Sequence, residues 1–445
     1  MSDLRRTIRA LMPEIQTDLE RLVRIPSCGF PGFDPAPVRE SAMLTADLLE
    51  AAGLMDVRII EVPGGHPAVF GSTPGPAGAP TVLLYAHHDV QPPGPADEWT
   101  TPPYEPVVRD GRMYGRGTSD DKCGIAMHLA SLRAFGGNPP VGVKVLVEGE
   151  EECTAEHLDW LIGEHADLLR ADAVIVADAG SWERGTPALT TSIRGVVACE
   201  VEVRVAEQAL HSGEYGVVPD AITSLARMIA ALHDEEGNVA VPGLLRREGS
   251  APVEVSEDDL RAEAKVGANV QLIGTGTLAD RMWFGPTISV IGIDAPSIRD
   301  ASFQIVPVAK AAVTMRIAPG EDPATALQAL IDHLRAAAPW GVDVAFGGEE
   351  RAVGHQVPNE GPIFEAARRA ATEAWGVEPV ITGSGGSVPL VPILAGVMPD
   401  TVILMTGPGD QWSGAHSIDE SIDLVELERA CLAQALFLEN LGSDS

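Results

Sequence analysis

No stretch of this chain approaches the roughly 18 uninterrupted apolar residues that a membrane-spanning helix requires, so no transmembrane span is expected. Basic residues are scarce: 31 Lys and Arg stand against 64 Asp and Glu, a formal charge of -33 at pH 7. That balance argues against nucleic acid and anionic membranes as partners, both of which want basic patches, and predicts a soluble protein with an acidic surface. Lysine is rarer still, present only at Lys122, Lys144, Lys265 and Lys310, and the excess of Arg beside abundant Ala, Gly and Pro reads as base composition with no functional content. The five cysteines, Cys28, Cys123, Cys153, Cys199 and Cys431, are odd in number, lack CxxC spacing and sit in apolar or helical stretches. They fit reduced structural thiols in cytoplasm, and exclude a zinc site built from Cys. The first 24 residues show no apolar h-region; Leu4, Ile8, Leu11, Ile15, Leu19 and Leu22 recur at helical spacing, which predicts a surface helix instead of a signal peptide. There is no internal repeat and no low-complexity tract.

What is present is enough for two domains: 445 residues, 45% of them hydrophobic. The first 190 residues alternate helical and strand patterns (helix 3–23, strands 57–62 and 81–86, helix 122–135, strand 143–147, helix 155–169, strand 173–177), which predicts an α/β sheet covered by helices. From about Gly195 the order becomes strand 196–205, helix 221–233, a long loop, strands 287–293 and 309–317, helix 323–338 and strand 342–346, the β-α-β-β-α-β of a small ferredoxin-like unit. Helix 362–375, strand 402–405 and helix 422–441 then resume the first pattern. The expected division is 1–194 and 356–445 for one catalytic domain, with 195–355 inserted into it.

Five short motifs carry chemistry. His87, Glu151 and Asp178 each follow an apolar strand, where open α/β sheets collect ligands. In His87-His88-Asp89, residues two apart in an extended chain face one side, so Asp89 can fix the tautomer of His87 while the other ring nitrogen binds metal; His88 faces away. Asp120 lies in a Gly-rich turn just before a helix, where its two oxygens suit a bridge between cations, the bland reading being a helix N-cap at Asp120 or Asp121. Glu150, Glu151 and Glu152 repel one another unless cations or protons compensate, a conflict that one metal ligand and one general base resolve. Asp178 and His416 complete two histidines and three carboxylates, a donor set that fits Zn²⁺ first and Mn²⁺ or Co²⁺ next.

With these residues placed, Tyr85-Ala86-His87-His88-Asp89-Val90-Gln91-Pro92, Tyr114-Gly115-Arg116-Gly117-Thr118-Ser119-Asp120-Asp121-Lys122 and Glu148-Gly149-Glu150-Glu151-Glu152 resemble the M20 metallopeptidase family, in its cytosolic dipeptidase and carnosinase-like branch. The resemblance implies a mixed-sheet, di-metal aminopeptidase-like catalytic domain, with the insertion as a lid and dimerisation domain. It implies one metal on His87, Asp120 and Asp178 and a second on Asp120, Glu152 and His416, with Glu151 as general base and Asp89 orienting His87. It also implies a cis bond between Asp120 and Asp121. His211 in Leu210-His211-Ser212-Gly213 would reach the partner subunit's active site and polarise the scissile carbonyl, which makes a homodimer the catalytic unit. Arg316, with Gly386 and Ser387 of the Gly385–Pro389 loop, would grip the substrate carboxylate, and His355 matches a further substrate histidine by spacing. Departures from the family pattern, among them Cys123 for a second Gly after Lys122 and His416-Ser417-Ile418-Asp419-Glu420 for HSPNE, remove none of these ligands.

The expected function is that of a cytoplasmic two-metal dipeptidase acting on dipeptides or short peptides with a free C-terminal carboxylate. A water between the metals is the nucleophile, and Glu151 moves its proton to the leaving amine. The alternatives are an N-acyl-amino-acid amidohydrolase of the same fold and, more remotely, a non-catalytic metal-binding homologue.

Overall fold

The computed structural model describes residues 3–153, 157–247, 249, 251, 253–357, 359–386 and 388–443. The chain forms two compact units, the first from Met1–Thr191, Val357–Thr382 and Ile393–Ser445, the second from Ser192–Gln356 and Gly383–Pro392.

The first unit is built on a mixed sheet. Its strands lie in the order Arg58–Ile60, Ala68–Thr73, Gly142–Glu148, Thr81–His87, Ala173–Val176, Val402–Met405 and Ala188–Ile193. The four strands from Gly142–Glu148 to Val402–Met405 run parallel, with Val82 opposite Val143 and Ala173, and Leu404 opposite Ile175. Their residues are almost all buried, as unbroken apolar runs such as Val82-Leu83-Leu84-Tyr85-Ala86 require of strands covered on both faces. Helix Lys122–Ala134 is buried along nearly its whole length, while Asp3–Val23, Pro362–Trp375 and Leu424–Ser443 add their apolar faces to the same core. The parallel direction brings the carboxyl ends of Thr81–His87, Gly142–Glu148 and Ala173–Val176 to one rim.

In the second unit, strands Gly195–Arg204, Thr287–Asp294, Val308–Ile317 and Asp343–Ala352 and helices Ala221–Ala230 and Pro323–Ala337 occur in the sequence β-α-β-β-α-β. The sheet order is Thr287–Asp294, Val308–Ile317, Gly195–Arg204, Asp343–Ala352, antiparallel throughout. Alternate residues of the central strands (Val197, Cys199, Val201, Val203; Val313, Met315, Ile317) pack on Leu225, Met228, Leu327, Leu330 and Leu334, the one-sided burial expected of an antiparallel layer.

Several elements differ from the sequence expectation. The helix expected over 155–169 is two short helices, Leu158–Glu164 and Ala166–Leu169, parted at His165 just after the helix-weakening Gly163; Thr154–Glu156 lie outside the described residues. The last helix begins at Leu424 because Ser421–Asp423 is a strand paired with Arg112–Tyr114, and the Asp423 carboxylate caps the helix by accepting from Val425 N (2.8 Å) and Glu426 N (3.2 Å). Helix Ala36–Ala51 and strands Ala68–Thr73 and Ala188–Ile193 are additional to the pattern read from sequence. All five cysteines are free. Among the described residues no helix is long and apolar enough to cross a membrane.

The core holds one pH-sensitive group remote in sequence from the motifs. His128 is buried in helix Lys122–Ala134, donating from Nδ1 to Gln434 Oε1 (3.0 Å), and burial lowers its pKa from 6.5 to about 4. The unfolded chain takes up a proton near pH 6.5 that the folded chain refuses until about pH 4. Stability is therefore complete above pH 6.5 and falls as the pH drops through that window, by about 3 kcal/mol from this residue. Urea unfolding at a series of pH values should show that acid slope reduced by the same amount in His128→Leu; an unchanged slope would refute the assignment.

Candidate metal centre

The apolar runs of the central strands end where hydrophilic residues begin, and this places His87, the Glu148–Glu152 segment and Asp178 at the carboxyl rim. His87 is the last residue of its strand and fully buried, whereas Glu151 and Glu152 lie just beyond Glu148 and Asp178 two residues beyond Val176. Gly407 helps to set Asp178: a Cβ there would stand 2.4 Å from the Ala177 carbonyl oxygen and 2.1 Å from that of Ala179, so only glycine lets the chain lie against this turn.

Asp120 meets both histidines with separate oxygens. His87 Nε2 is 3.0 Å from Asp120 Oδ1, and His416 Nε2 is 3.0 Å from Asp120 Oδ2 and 3.1 Å from Glu152 Oε2. Ligand atoms of His87, Glu151 and Asp178 lie within 4.8 Å of one another, as do those of His87, Asp120 and Glu152. The residues expected to bind metal, with Glu151, are thus gathered in one place within the first unit. His416 is exposed and has a positive φ of 62°, in a turn opened by Gly414.

The neighbours of these groups hold the backbone. The Asp120-Asp121 peptide bond is cis. Asp121 caps helix Lys122–Ala134, accepting from Gly124 N (3.2 Å), and also accepts from His87 N (3.3 Å). The carboxylate of Asp89 accepts from Glu151 N (3.2 Å) and Glu152 N (3.0 Å), with Oδ1 3.4 Å from His87 Nδ1, so Asp89 fixes the two glutamates as well as the imidazole. His88 turns away, its Nε2 2.9 Å from the Pro67 carbonyl oxygen, and Glu150 pairs with His157 Nδ1 at 3.0 Å.

Two further contributors were not singled out in the sequence. Gln91 donates to Glu152 Oε2 (2.8 Å), and buried Glu420 accepts from the amides of Gly117, Ser119 and Asp120. Both stand inside motif stretches, but neither has a recognisable partner nearby in the chain.

The electrostatics show excess negative charge. Desolvation, then the Asp178 carboxylate, pushes Glu151 well above the usual carboxylate range, and desolvation with the charge on Asp120 pushes Asp178 up to about 7. Asp120 is disfavoured as an anion by burial, but hydrogen bonds from His416 and His87 hold it well below the usual range. Its own carboxylate and that of Glu152 raise His416 to about 10. Carboxylates so crowded protonate or take up cations, and the mixed imidazole and carboxylate donors suit divalent metal. The residues present therefore fit two metal ions.

The other candidate residues belong to the second unit. His211, exposed, lies in the short strand Leu210–His211 paired with Gln304–Ile305, and its Nδ1 accepts from Gly213 N (3.1 Å). Arg316 sits half-buried on Val308–Ile317 opposite Thr287 and Val196. His355 is half-buried opposite Ile193, and Gly386 N donates to Ser384 Oγ (3.1 Å). Ser387 lies outside the described residues. Arg194, not anticipated, ties the Gly385 loop to strand Thr287–Asp294 through Gly385 O (3.1 Å) and Thr287 Oγ1 (2.9 Å).

A mixed α/β fold with imidazoles and carboxylates gathered at a strand-end rim defines a metal-dependent hydrolase. Residues 83–440 match peptidase family M20/M25/M40, and the chain belongs to that family: it is a metallopeptidase, a hydrolase of peptide bonds. It is 35% identical to a cysteinylglycine-S-conjugate dipeptidase of Corynebacterium striatum over 82% of this chain and 82% of that protein. It is 26% identical to the β-Ala-His dipeptidase of Rattus norvegicus over 89% of this chain and 86% of that one. The solved structure of the di-peptidase Dug1p from Saccharomyces cerevisiae has the same fold, with a TM-score of 0.84 at 23% identity over 99% of this chain and 98% of that one.

Asp89→Asn would turn an amide NH₂ against the backbone N–H groups of Glu151 or Glu152. Peptidase kcat/KM should fall about 10–100-fold with the fold intact by circular dichroism; wild-type activity would exclude this supporting role.

Proposed function

We propose that this chain is a two-metal dipeptidase acting on dipeptides or short peptides with a free C-terminal carboxylate. The observation that carries the reading is Asp120, whose two oxygens face His87 on one side and His416 on the other, each at 3.0 Å. One metal would rest on His87, Asp120 and Asp178 and the other on Asp120, Glu152 and His416, with Zn²⁺ first and Mn²⁺ or Co²⁺ as substitutes. Metals bound there supply Lewis-acid polarisation of the scissile carbonyl and a water of lowered pKa.

The chain's own residues do the rest. Glu151, whose surroundings raise its affinity for a proton, takes one from the water and delivers it to the leaving amine. Asp89 keeps Glu151, Glu152 and His87 in place. Arg316 grips the substrate carboxylate with the Gly385–Gly386–Ser387 loop, and His355 lines the same subsite. His211 donates a hydrogen bond to the developing oxyanion, the largest contribution in many such reactions, from one protomer to the site of its partner.

That role for His211 requires a homodimer, and residues 195–355 form its lid and dimerisation domain of ferredoxin-like type. In support, the outer strand Thr287–Asp294 exposes Ile291 (66%) and Ile293 (58%), and Ile298 (96%) and Phe303 (92%) follow it, more apolar surface than a monomer needs to show water. Five free thiols suit the cytoplasm.

The test is hydrolysis of a dipeptide panel, with cysteinylglycine S-conjugates and β-Ala-His first because the relatives are named for them, by chelator-stripped protein reloaded separately with Zn²⁺, Mn²⁺ and Co²⁺. N-acetyl amino acids run alongside. Metal-restored cleavage of dipeptides is expected; turnover of N-acyl compounds alone would replace the reading with an amidohydrolase. Glu151→Gln should retain its metal and lose on the order of 10²–10⁴-fold in kcat, and a fully active variant would remove Glu151 as the base.

A further inference from the structure

We propose that Glu420 is a positioning residue of the metal centre, holding the Asp120 loop in its bridging orientation and tying it to the loop that carries His416. The inference rests on the reading of Asp120 and His416 as metal ligands. Glu420 is completely buried. Its Oε2 accepts from Arg116 Nη1 (2.7 Å) and Gly117 N (3.0 Å), and its Oε1 from Ser119 N (2.8 Å), Asp120 N (3.1 Å) and Ser119 Oγ (3.1 Å). The backbone carbonyl of Glu420 also accepts from Gly115 N (2.9 Å). One residue therefore satisfies backbone donors at Gly115, Gly117, Ser119 and Asp120, in a segment that is neither helix nor strand and has few backbone partners of its own.

A buried ion pair alone would require only Arg116. That guanidinium is itself anchored, donating to Pro92 O (3.3 Å) and lying 5.5 Å over the Trp99 ring, so Glu420 is fixed to a third segment of the first unit. On the other side Glu420 follows His416 by four residues, and Asp419 between them accepts from Thr100 N (2.8 Å) and Thr100 Oγ1 (2.7 Å). The loop bearing the exposed His416 is thereby closed at the end where it meets the Asp120 loop. Metal bridging demands that Asp120 and His416 keep one mutual geometry, and the Glu420 carboxylate is the group that spans the two loops.

Glu420→Gln keeps the length of the side chain but sets an NH₂ group against amide donors. Zn²⁺ affinity is measured on purified full-length protein by competition with a chromophoric chelator, and amide hydrogen exchange at Ser119 and Asp120 on the same protein stripped of metal. The expected result is a 10–100-fold weaker Zn²⁺ affinity and faster exchange at both amides. Glu426→Gln is the control, removing another buried carboxylate that binds Trp375 Nε1 (2.7 Å) and Arg429 Nη1 (2.7 Å); it should lower the thermal midpoint and leave Zn²⁺ affinity unchanged. If Glu420→Gln does not fold, Glu420→Asp keeps the charge beside Arg116 with a shorter reach and should show the same loss. Zn²⁺ affinity equal to wild type in the folded variant overturns the proposal, whereas a wild-type protein that takes up no Zn²⁺ overturns the metal reading itself and this proposal with it.

Discussion

Unbalanced negative charge at one rim of a parallel sheet is the constraint around which the first unit is arranged. Glu148, Glu151, Glu152, Asp89, Asp120, Asp121 and Asp178 gather around two imidazoles, and the cost appears in the proton affinities: Glu148 and Asp178 are each pushed to about 7, by burial first and by neighbouring carboxylates next. Such a cluster persists only if protons, hydrogen bonds or cations offset it. Tyr85 supplies one hydrogen bond to Glu148 Oε2 (2.6 Å), Gln91 one to Glu152, and backbone amides supply those on Asp89, Asp121 and Glu420. Asp120, Asp178 and Glu151 receive least from the protein, and these are the groups that face the place where metal would sit.

The fold makes that concentration possible. Parallel strands end together, and their apolar runs drive the sheet into a core covered by helices, so polar residues that follow each run emerge side by side without being neighbours in sequence. The rim stays ordered because each irregular segment leaving it ends in a side chain that caps something else. Asp423 starts the last helix, Asp121 starts helix Lys122–Ala134, and Glu420 holds the loop between Gly115 and Asp120.

Sequence reading succeeded where a single period dominates. Val82–Ala86 and Val143–Val147 read as strands because buried parallel strands are continuous apolar runs, and Leu4 to Leu22 reads as a helix because its apolar residues return every three or four positions. It failed where structure depends on partners far along the chain. Ser421–Asp423 reads as the start of a helix until its pairing with Arg112–Tyr114 is known, and the helix past Thr154 reads as continuous because nothing in its composition forces the break at His165. Within the site, the strand-end residues His87, Glu151 and Asp178 were visible as motifs. The work of Glu420 was not, because its donors are backbone amides 300 residues earlier and backbone amides carry no sequence signature.

The doublets in the motifs have a common physical explanation. Neighbouring residues on an extended or sharply turning chain point in different directions, so two adjacent polar side chains cannot both enter one small site. His87 faces Asp120 while His88 anchors the strand end to Pro67 O; Asp120 faces the histidines while Asp121 caps the helix; Glu150 pairs with His157 while Glu151 and Glu152 take the inner positions. In each case one residue presents a ligand atom and its neighbour fixes the backbone that aims it. Changing the anchoring member therefore displaces the ligand without removing any ligand atom, and the rigidity of the site resides as much in His88, Asp121 and Glu150 as in the groups they orient.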